Sequence, residues 1–285
     1  EQVKKLAKSA SSAIVLGSIT FVPREGNSGN VFYKTPHYSL NSLGLPNPGL
    51  KETEKVLPEM VRIAHDAGKP FIFSAAGFYP QDYATLSAVA FACGVDIVEL
   101  NLGCPNVWWK DGKQKRIASF DRDLINSILT VVYQNVGNQK RIAVKLSPFS
   151  DPVDFLSSVS FILSYPMVKA LTLSNTMPNC FSVSAEGGSA ISNGMGLSGM
   201  AGPVLKPISL GRIRELRMGW GPEMHECAPF IIGAGGVSTG FDVMEYLGIG
   251  ASLVQVATAY YALGDDLGER IFSEILEQYS SYHQD

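Results

Sequence analysis

Charge is scarce in this chain. Only 17% of its 285 residues are Asp, Glu, Lys or Arg, and 23 basic against 26 acidic side chains leave a formal charge of −3. There is no basic footprint for nucleic acid or an anionic membrane surface, and no block of like charges that would make a solvated tail. The partner expected is a small molecule, with no nucleic acid and no membrane. No apolar run reaches the length of a membrane span, and the opening Glu1-Gln2-Val3-Lys4-Lys5-Leu6 lacks the apolar core of a signal peptide. Cysteine is scarce as well. Cys93, Cys104, Cys180 and Cys227 lie far apart without CxxC spacing, which argues against a metal site or a disulfide framework and points to a reducing, cytoplasmic setting. His37, His65, His225 and His283 show no ligand spacing, so they read as structural and no metal is expected.

What the chain does have is apolar material, 46% of its residues, enough for one large core. A single domain over residues 1–285 is expected. Short apolar runs rich in β-branched residues recur at Ala13–Leu16, Pro70–Ser74, Asp96–Asn101, Arg141–Leu146, Ala170–Ser174, Phe230–Gly233 and Ser252–Val256. Helical patterns fill most of the intervals, at Leu50–Ala67, Gln81–Cys93, Phe120–Asn135, Pro152–Tyr165, Lys206–Met218 and Gly240–Leu247. Such alternation implies an α/β protein with a parallel sheet and right-handed crossovers, either a barrel or a doubly wound sheet. Chemically distinctive residues gather directly after the strands, which in a (β/α)₈ TIM barrel is one rim, where active sites are built. The barrel needs eight strands and the sequence shows seven. Either a first strand is missing from this chain or the early segment closes the barrel irregularly. Val22–Pro48 reads as a loop or hairpin over the rim, and Val107–Ser119 and Pro178–Gly202 as long loops of the kind that form lids.

Glu99-Leu100-Asn101-Leu102-Gly103-Cys104-Pro105-Asn106 runs off a strand with two carboxamides around a thiol. An Asn offers both a donor and an acceptor, matching the alternating C=O and N–H groups of a pyrimidine-like ring. A thiol between them is placed to take a proton from that ring, although most cysteines are simply small buried hydrophobes. Cys93, Cys180 and Cys227 fit that plainer description. Lys145, in Ala143-Val144-Lys145-Leu146, ends an otherwise apolar strand, where a buried ammonium requires an anionic partner or an outlet to solvent; a reduced flavin would supply the anion. Gly233-Ala234-Gly235-Gly236-Val237 and Ala257-Thr258 follow the last two strands, the positions where such barrels bind phosphate through backbone N–H groups. A phosphorylated substrate would satisfy the same signal as a cofactor. Trp108-Trp109, beside the cysteine loop, reads as a shield for the site or, at least as well, as an interface or ordinary loop packing.

At these residues the sequence resembles the dihydroorotate dehydrogenase family, in its class 1, cysteine-base branch. The resemblance runs from about Ala13 to the C-terminal helix. It is carried by Arg24-Glu25-Gly26-Asn27, Asn41-Ser42-Leu43-Gly44-Leu45-Pro46-Asn47, Asn101 to Val107, Val144-Lys145-Leu146, Ser174-Asn175-Thr176, Gly199-Met200-Ala201-Gly202 and Gly235-Gly236. The resemblance implies FMN at the C-terminal rim, with Ser18 and Lys145 at the flavin and phosphate held around Gly199, Gly235, Gly236, Ala257 and Thr258. It implies a substrate site of Asn41, Leu43, Gly44, Leu45, Asn101, Asn106, Asn175 and Thr176. The implied reaction is oxidation of dihydroorotate to orotate in pyrimidine biosynthesis: Cys104 removes a proton from C5 while C6 passes hydride to FMN, and a second substrate, fumarate by the branch resemblance, reoxidises the flavin. A homodimer is implied as well.

The chain departs from the family pattern in three places. Gly17 stands where that pattern places a lysine. A charge-assisted hydrogen bond is worth roughly 1.5–3 kcal/mol, so this weakens recognition of a carboxylated substrate by about tenfold to a hundredfold unless Lys34 or Arg24 compensates. The family also begins with an additional strand that is not visible before Glu1. Trp108-Trp109-Lys110-Asp111-Gly112 replaces a shorter Gly/Pro-containing loop. Three other readings stay open: a divergent homologue acting on another dihydro-heterocycle, a non-redox barrel enzyme with a phosphorylated substrate, and a catalytically silent FMN-binding protein.

Overall fold

A computed structural model describes residues 1–108, 112–192, 194–220, 228–264 and 266–282. Trp109, His225, Cys227 and His283 lie outside the described residues. The chain begins with α1 (Gln2–Lys8), β1 (Ile14–Ile19), β2 (Phe32–Lys34), β3 (Ser39–Asn41) and α2 (Gly49–Asp66). Strands and helices then alternate: β4 (Phe71–Ala75), α3 (Pro80–Ala92), β5 (Ile97–Asn101), α4 (Arg122–Val136), β6 (Ile142–Leu146), α5 (Pro152–Leu163) and β7 (Val168–Leu173). A pair of short strands, β8 (Met177–Cys180) and β9 (Ser198–Ala201), precedes α6 (Lys206–Gly219), β10 (Phe230–Ala234), α7 (Gly240–Gly248), β11 (Leu253–Gln255), α8 (Thr258–Leu263) and α9 (Leu267–Tyr282).

All seven apolar runs form strands of one parallel sheet, in the order β1-β4-β5-β6-β7-β10-β11. Spatial order follows chain order, so the sheet never reverses as a doubly wound sheet must, and it curls into a half-barrel. The seven strands counted in the sequence are the seven of this sheet. Among the described residues no strand bridges β1 and β11, which remain the two edges. The near-continuous apolarity of the runs has a direct cause: helices cover one face and barrel-interior side chains fill the other, and every residue of β4 is buried. Phe71, Phe73, Leu57, Leu86, Leu100 and Phe155 are fully buried at the centre.

Local sequence sets the helix ends. Asp121 caps α4 by accepting from the Leu124 N–H, and Asp151 caps α5 by accepting from Val153 and Asp154, with Pro152 in the first turn. Thr239 and Asp242 form a reciprocal capping box on α7. These caps place each helix start directly behind a strand-end loop, and so hold the rim.

A second, antiparallel sheet lies over the rim in the order β2-β3-β9-β8. Val22–Pro48 thus contains the expected hairpin. Pro178–Gly202 is not a plain loop: it holds the end of β8 and all of β9. The sheet brings Asn41 opposite Gly199 in register.

Candidate active site

Asn101 ends β5 opposite Lys145 on β6. The loop that follows is held tightly. The Leu102 N–H donates to the Lys145 carbonyl at 3.0 Å, Ser119 Oγ donates to the Leu102 carbonyl at 3.0 Å, and Ser147 Oγ donates to the Gly103 carbonyl at 3.0 Å. Gly103 permits this closeness, because a Cβ there would stand 2.7 Å from Ser147 N and 2.9 Å from Asn175 Cβ. The result is a fixed, half-buried Cys104. Burial pushes its thiol up from the ordinary value, while the Asn106 backbone N–H, Lys115 and Arg24 pull it back part of the way.

The asparagines form two linked groups around this loop. In the first, Asn101 Oδ1 accepts from Asn175 Nδ2 at 2.9 Å, and Asn101 Nδ2 donates to Ser18 Oγ at 3.0 Å. In the second, Asn106 Nδ2 donates to Asn41 Oδ1 at 2.7 Å, and the Gly199 N–H donates to Asn106 Oδ1 at 2.9 Å. Asn27 Nδ2 clamps the loop through the Asn106 carbonyl at 3.0 Å. Thr176 Oγ1 is buried beside Gly199 with no hydrogen-bond partner among the described residues. A Cβ on residue 199 would overlap that hydroxyl.

Gly199 therefore needs reassignment. Its N–H is taken by Asn106 and its carbonyl accepts from Asn41 Nδ2 at 3.3 Å, so its backbone serves the asparagine group rather than a phosphate. Gly202, three residues on, takes the place next to the glycine loop: its carbonyl lies 3.1 Å from where a Cβ of Gly236 would be. Leu43 and Gly44 present their carbonyls to Asn27 N and Arg24 Nε, both at 2.9 Å, which braces the loop, while Leu45 shares a small cavity with Cys104.

Lys145 does not wait for a ligand to meet an anion. Its ammonium donates to Gln255 Oε1 at 3.0 Å and stands 3.8 Å from Glu99 Oε1, a carboxylate only 1% exposed. Glu99 Oε2 accepts from Gln255 Nε2 and from Thr172 Oγ1, each at 2.7 Å. Glu99 carries the same sequence signal as Lys145, a charge inside an apolar strand.

Beside this network opens a cavity of about 1400 Å³, which continues between the edges of β1 and β11 toward α1 and α9. Lys145, Gly235, Gly236, Ala257 and Thr258 all line it. So do Ser39 and Ser174, whose buried hydroxyls lack hydrogen-bond partners among the described residues. Buried polar groups are normally paired, so this wall suits a ligand with polar edges. Gly235 and Gly236 adopt φ of +131° and +69°, and a Cβ on Gly236 would meet Lys206 Cβ at 2.7 Å. The glycine loop is anchored from below. Asp242 accepts from the Ser238 N–H at 2.8 Å and from Lys206 Nζ at 2.7 Å, and Lys206 also reaches Glu245 at 2.6 Å. Burial would raise the Asp242 carboxyl, but these donors outweigh it and hold it below the usual range.

Two of the other singled-out residues lie away from the site. His65 pairs with Asp96 at 2.8 Å on the surface, and Cys93 closes α3. Among the described residues no group of side chains could hold a metal ion, and no helix is long and apolar enough to cross a membrane.

Known proteins resemble this chain over most of its length. A dihydroorotate dehydrogenase of Lachancea kluyveri of the fumarate type is 31% identical over 281 residues, covering 97% of this chain and 84% of that one. The catalytic subunit of dihydroorotate dehydrogenase B (NAD(+)) of Methanopyrus kandleri is 32% identical over 250 residues, 87% of this chain and 74% of its own. A crystal structure of DHODH from Eimeria tenella, in complex with ferulenol, superposes with a TM-score of 0.76 at 20% identity, over 95% of this chain and 76% of that one, and supports the fold. The family model for dihydroorotate dehydrogenase matches residues 1–279. The chain belongs to the dihydroorotate dehydrogenase family, flavoprotein oxidoreductases of pyrimidine biosynthesis.

Proposed function

We propose that this chain oxidises dihydroorotate to orotate with FMN as cofactor, Cys104 as base and fumarate as the second substrate. The observation that carries the reading is the bonding of Asn106 to Asn41 and of Asn101 to Asn175 on the loop that bears Cys104, with Asn101 lining both the small cavity of Cys104 and the large one walled by Lys145 and the Gly235-Gly236 loop. The unpartnered hydroxyls of Ser39 and Ser174 and the bare glycine backbone fit FMN. In this reading Lys145, held by Glu99 and Gln255, offers positive charge to the isoalloxazine, and Gly235, Gly236, Ala257 and Thr258 hold the phosphate. When bound, FMN would supply the acceptor for the hydride that leaves C6 of the substrate.

The chain's own groups do the rest. The carboxamides present donors and acceptors to the ring's imide edge. The Cys104 thiolate takes the C5 proton, and the electron pair of that C–H bond becomes the C5=C6 double bond. The loop that carries Cys104 is held by backbone and serine hydrogen bonds, so the thiol keeps its position through the proton transfer.

Anaerobic titration of the FMN-loaded protein with dihydroorotate tests the reading: the flavin absorbance bleaches, and fumarate restores it. A protein that cannot be loaded with FMN, or a loaded one that no dihydropyrimidine bleaches, sinks it. The two relatives carry different acceptors in their names, so NAD⁺ belongs in the same acceptor screen.

One observation favours a second reading, in which the substrate lacks the carboxylate. A Cβ at Gly17 would have nothing within 4 Å, so the strand offers open space where a lysine would reach the ligand. Lys34 lines the same cavity, whereas Arg24 is committed to the Gly44 carbonyl. Gly17→Lys is therefore expected to tighten orotate binding by about tenfold to a hundredfold, read by flavin spectral titration. Unchanged affinity would mean that Lys34 already meets the carboxylate, and bleaching by dihydrouracil but not by dihydroorotate would establish the second reading.

A further inference from the structure

The segment after Cys104 turns back on itself. The Lys115 N–H donates to the Val107 carbonyl at 2.8 Å, Gln114 Nε2 donates to the Pro105 carbonyl at 2.7 Å, and Trp108 bridges Gln114. This return sets the Lys115 side chain into the wall of a small cavity that it shares with Cys104, Leu45, Phe78, Tyr83 and Val107. Its ammonium lies 5.7 Å from the centroid of the Phe78 ring, and the Arg24 guanidinium sits 4.8 Å from the same centroid. Two cations on one aromatic ring repel each other, and a nearby anion relieves that cost.

The titratable groups around the thiol and Lys115 are few. Arg24 comes from the loop after β1, and its Nε is used by the Gly44 carbonyl. Tyr83 comes from α3, and its hydroxyl donates to the Asn101 carbonyl at 3.1 Å. Asp82, at the start of α3, accepts from the Phe78 and Tyr79 N–H groups at 2.8 and 3.1 Å. Among the described residues, none of the ion pairs involves Lys115. Burial pulls its ammonium down, and the Cys104 thiolate and then Asp82 push it back up. The small cavity thus sets beside the Cys104 thiol an ammonium that has no ion-pair partner among the described residues.

We propose that Lys115 is a positioning residue for the base: carried back by the loop that follows the cysteine, its ammonium is the counter-charge that stabilises the Cys104 thiolate. The proposal rests on the reading of Cys104 as the base, and it assigns work to the loop after Asn106, where this chain departs from the family pattern. The step it serves is the proton transfer already written. The thiolate gains the C5 proton, Lys115 keeps its own, and the change in charge at sulfur is what the ammonium senses.

The test reads the thiol directly. FMN-loaded protein without substrate is alkylated with iodoacetamide across pH, and labelling of the Cys104 peptide is followed by mass spectrometry, which separates it from the other cysteines. Loss of a neighbouring cation raises a thiol's pKa, so Lys115→Met should move the alkylation midpoint up by about one pH unit. The same variant should slow flavin reduction about tenfold at neutral pH and recover toward the wild-type rate at high pH, with substrate KM little changed. Lys115→Arg, which keeps the charge, should retain the wild-type midpoint. If Lys115→Met fails to retain FMN, Lys115→Gln carries the same test.

A midpoint in the neutral variants equal to that of the wild type overturns the proposal. So does a midpoint in Lys115→Arg that rises as far as in Lys115→Met, which would mean the effect is packing rather than charge. Failure of the underlying reading looks different: Cys104→Ser would reduce flavin at the wild-type rate whatever the alkylation midpoints show.

Discussion

Cys104→Ala is expected to bind FMN as the wild type does and to reduce it about 10²–10⁴-fold more slowly when dihydroorotate is added without oxygen, the range typical of losing a positioned general base. Stopped-flow absorbance at the flavin band measures it. The cofactor should be unaffected, because the loop's anchors are the Leu102 and Gly103 backbone with Ser119 and Ser147, none of which involves the sulfur. Orotate affinity should change little, since the asparagines keep their mutual hydrogen bonds. The pH dependence has a definite sign. Burial raises the Cys104 thiol, so the thiolate fraction at neutral pH is small and the wild-type rate climbs as pH rises toward the thiol's own pKa. Cys104→Ala should lose that climb as well as the rate. A variant that keeps more than a third of the wild-type rate would remove Cys104 from the chemistry.

Glu99→Ala should be a costly change in the barrel interior. It leaves Thr172 Oγ1 and Gln255 Nε2 without the acceptor they share at 2.7 Å, and it leaves Lys145 with Gln255 alone. Stranding buried donors and a half-buried ammonium costs about 2–4 kcal/mol; the figure sits toward the lower end for a broken ion pair because Lys145 is 22% exposed and its distance to Glu99 is 3.8 Å. Urea denaturation of wild type and variant at one FMN concentration measures it as a lower midpoint at unchanged slope. Glu99→Gln keeps a carbonyl acceptor and should lose less than half as much. A Glu99→Ala loss below about 0.5 kcal/mol, the range of ordinary surface substitutions, would show that the network does not bear on stability.

Much of the fold can be read in the sequence because the physics there is local. Strands buried on both faces need apolar β-branched runs, and helix starts need Asp or Thr caps, so β1, β4–β7, β10 and β11 stand out at their observed places. The strands β8 and β9 do not. Met177-Pro178-Asn179-Cys180 and Ser198-Gly199-Met200-Ala201 hold no β-branched residue, and their strand character comes from pairing across the rim. The site divides in the same way. The asparagines and the thiol are legible because they stand next to one another in sequence. Lys145 is legible as a charge in an apolar run, but its partners Glu99 and Gln255 lie on other strands and only the curl of the sheet brings the three together. The sequence expectation that Gly199 holds phosphate fails for the same reason: a glycine's neighbours decide whether its backbone faces a phosphate or an asparagine. The approach of Arg24 and Lys115 to Cys104 from two separate loops has no sequence pattern at all.

The split between the two sheets has a further consequence for how the rim is assembled. Neighbouring strands of the parallel wall pair residues close in sequence, as with Ile72 and Ile97, whereas Asn41 must find Gly199, 158 positions away. Loop-closure entropy grows with the logarithm of that separation, which makes the second contact about 1.6 kcal/mol dearer to close than the first. Contacts of long sequence separation also form late in folding. The wall that lines the large cavity can stand before the asparagine group is complete.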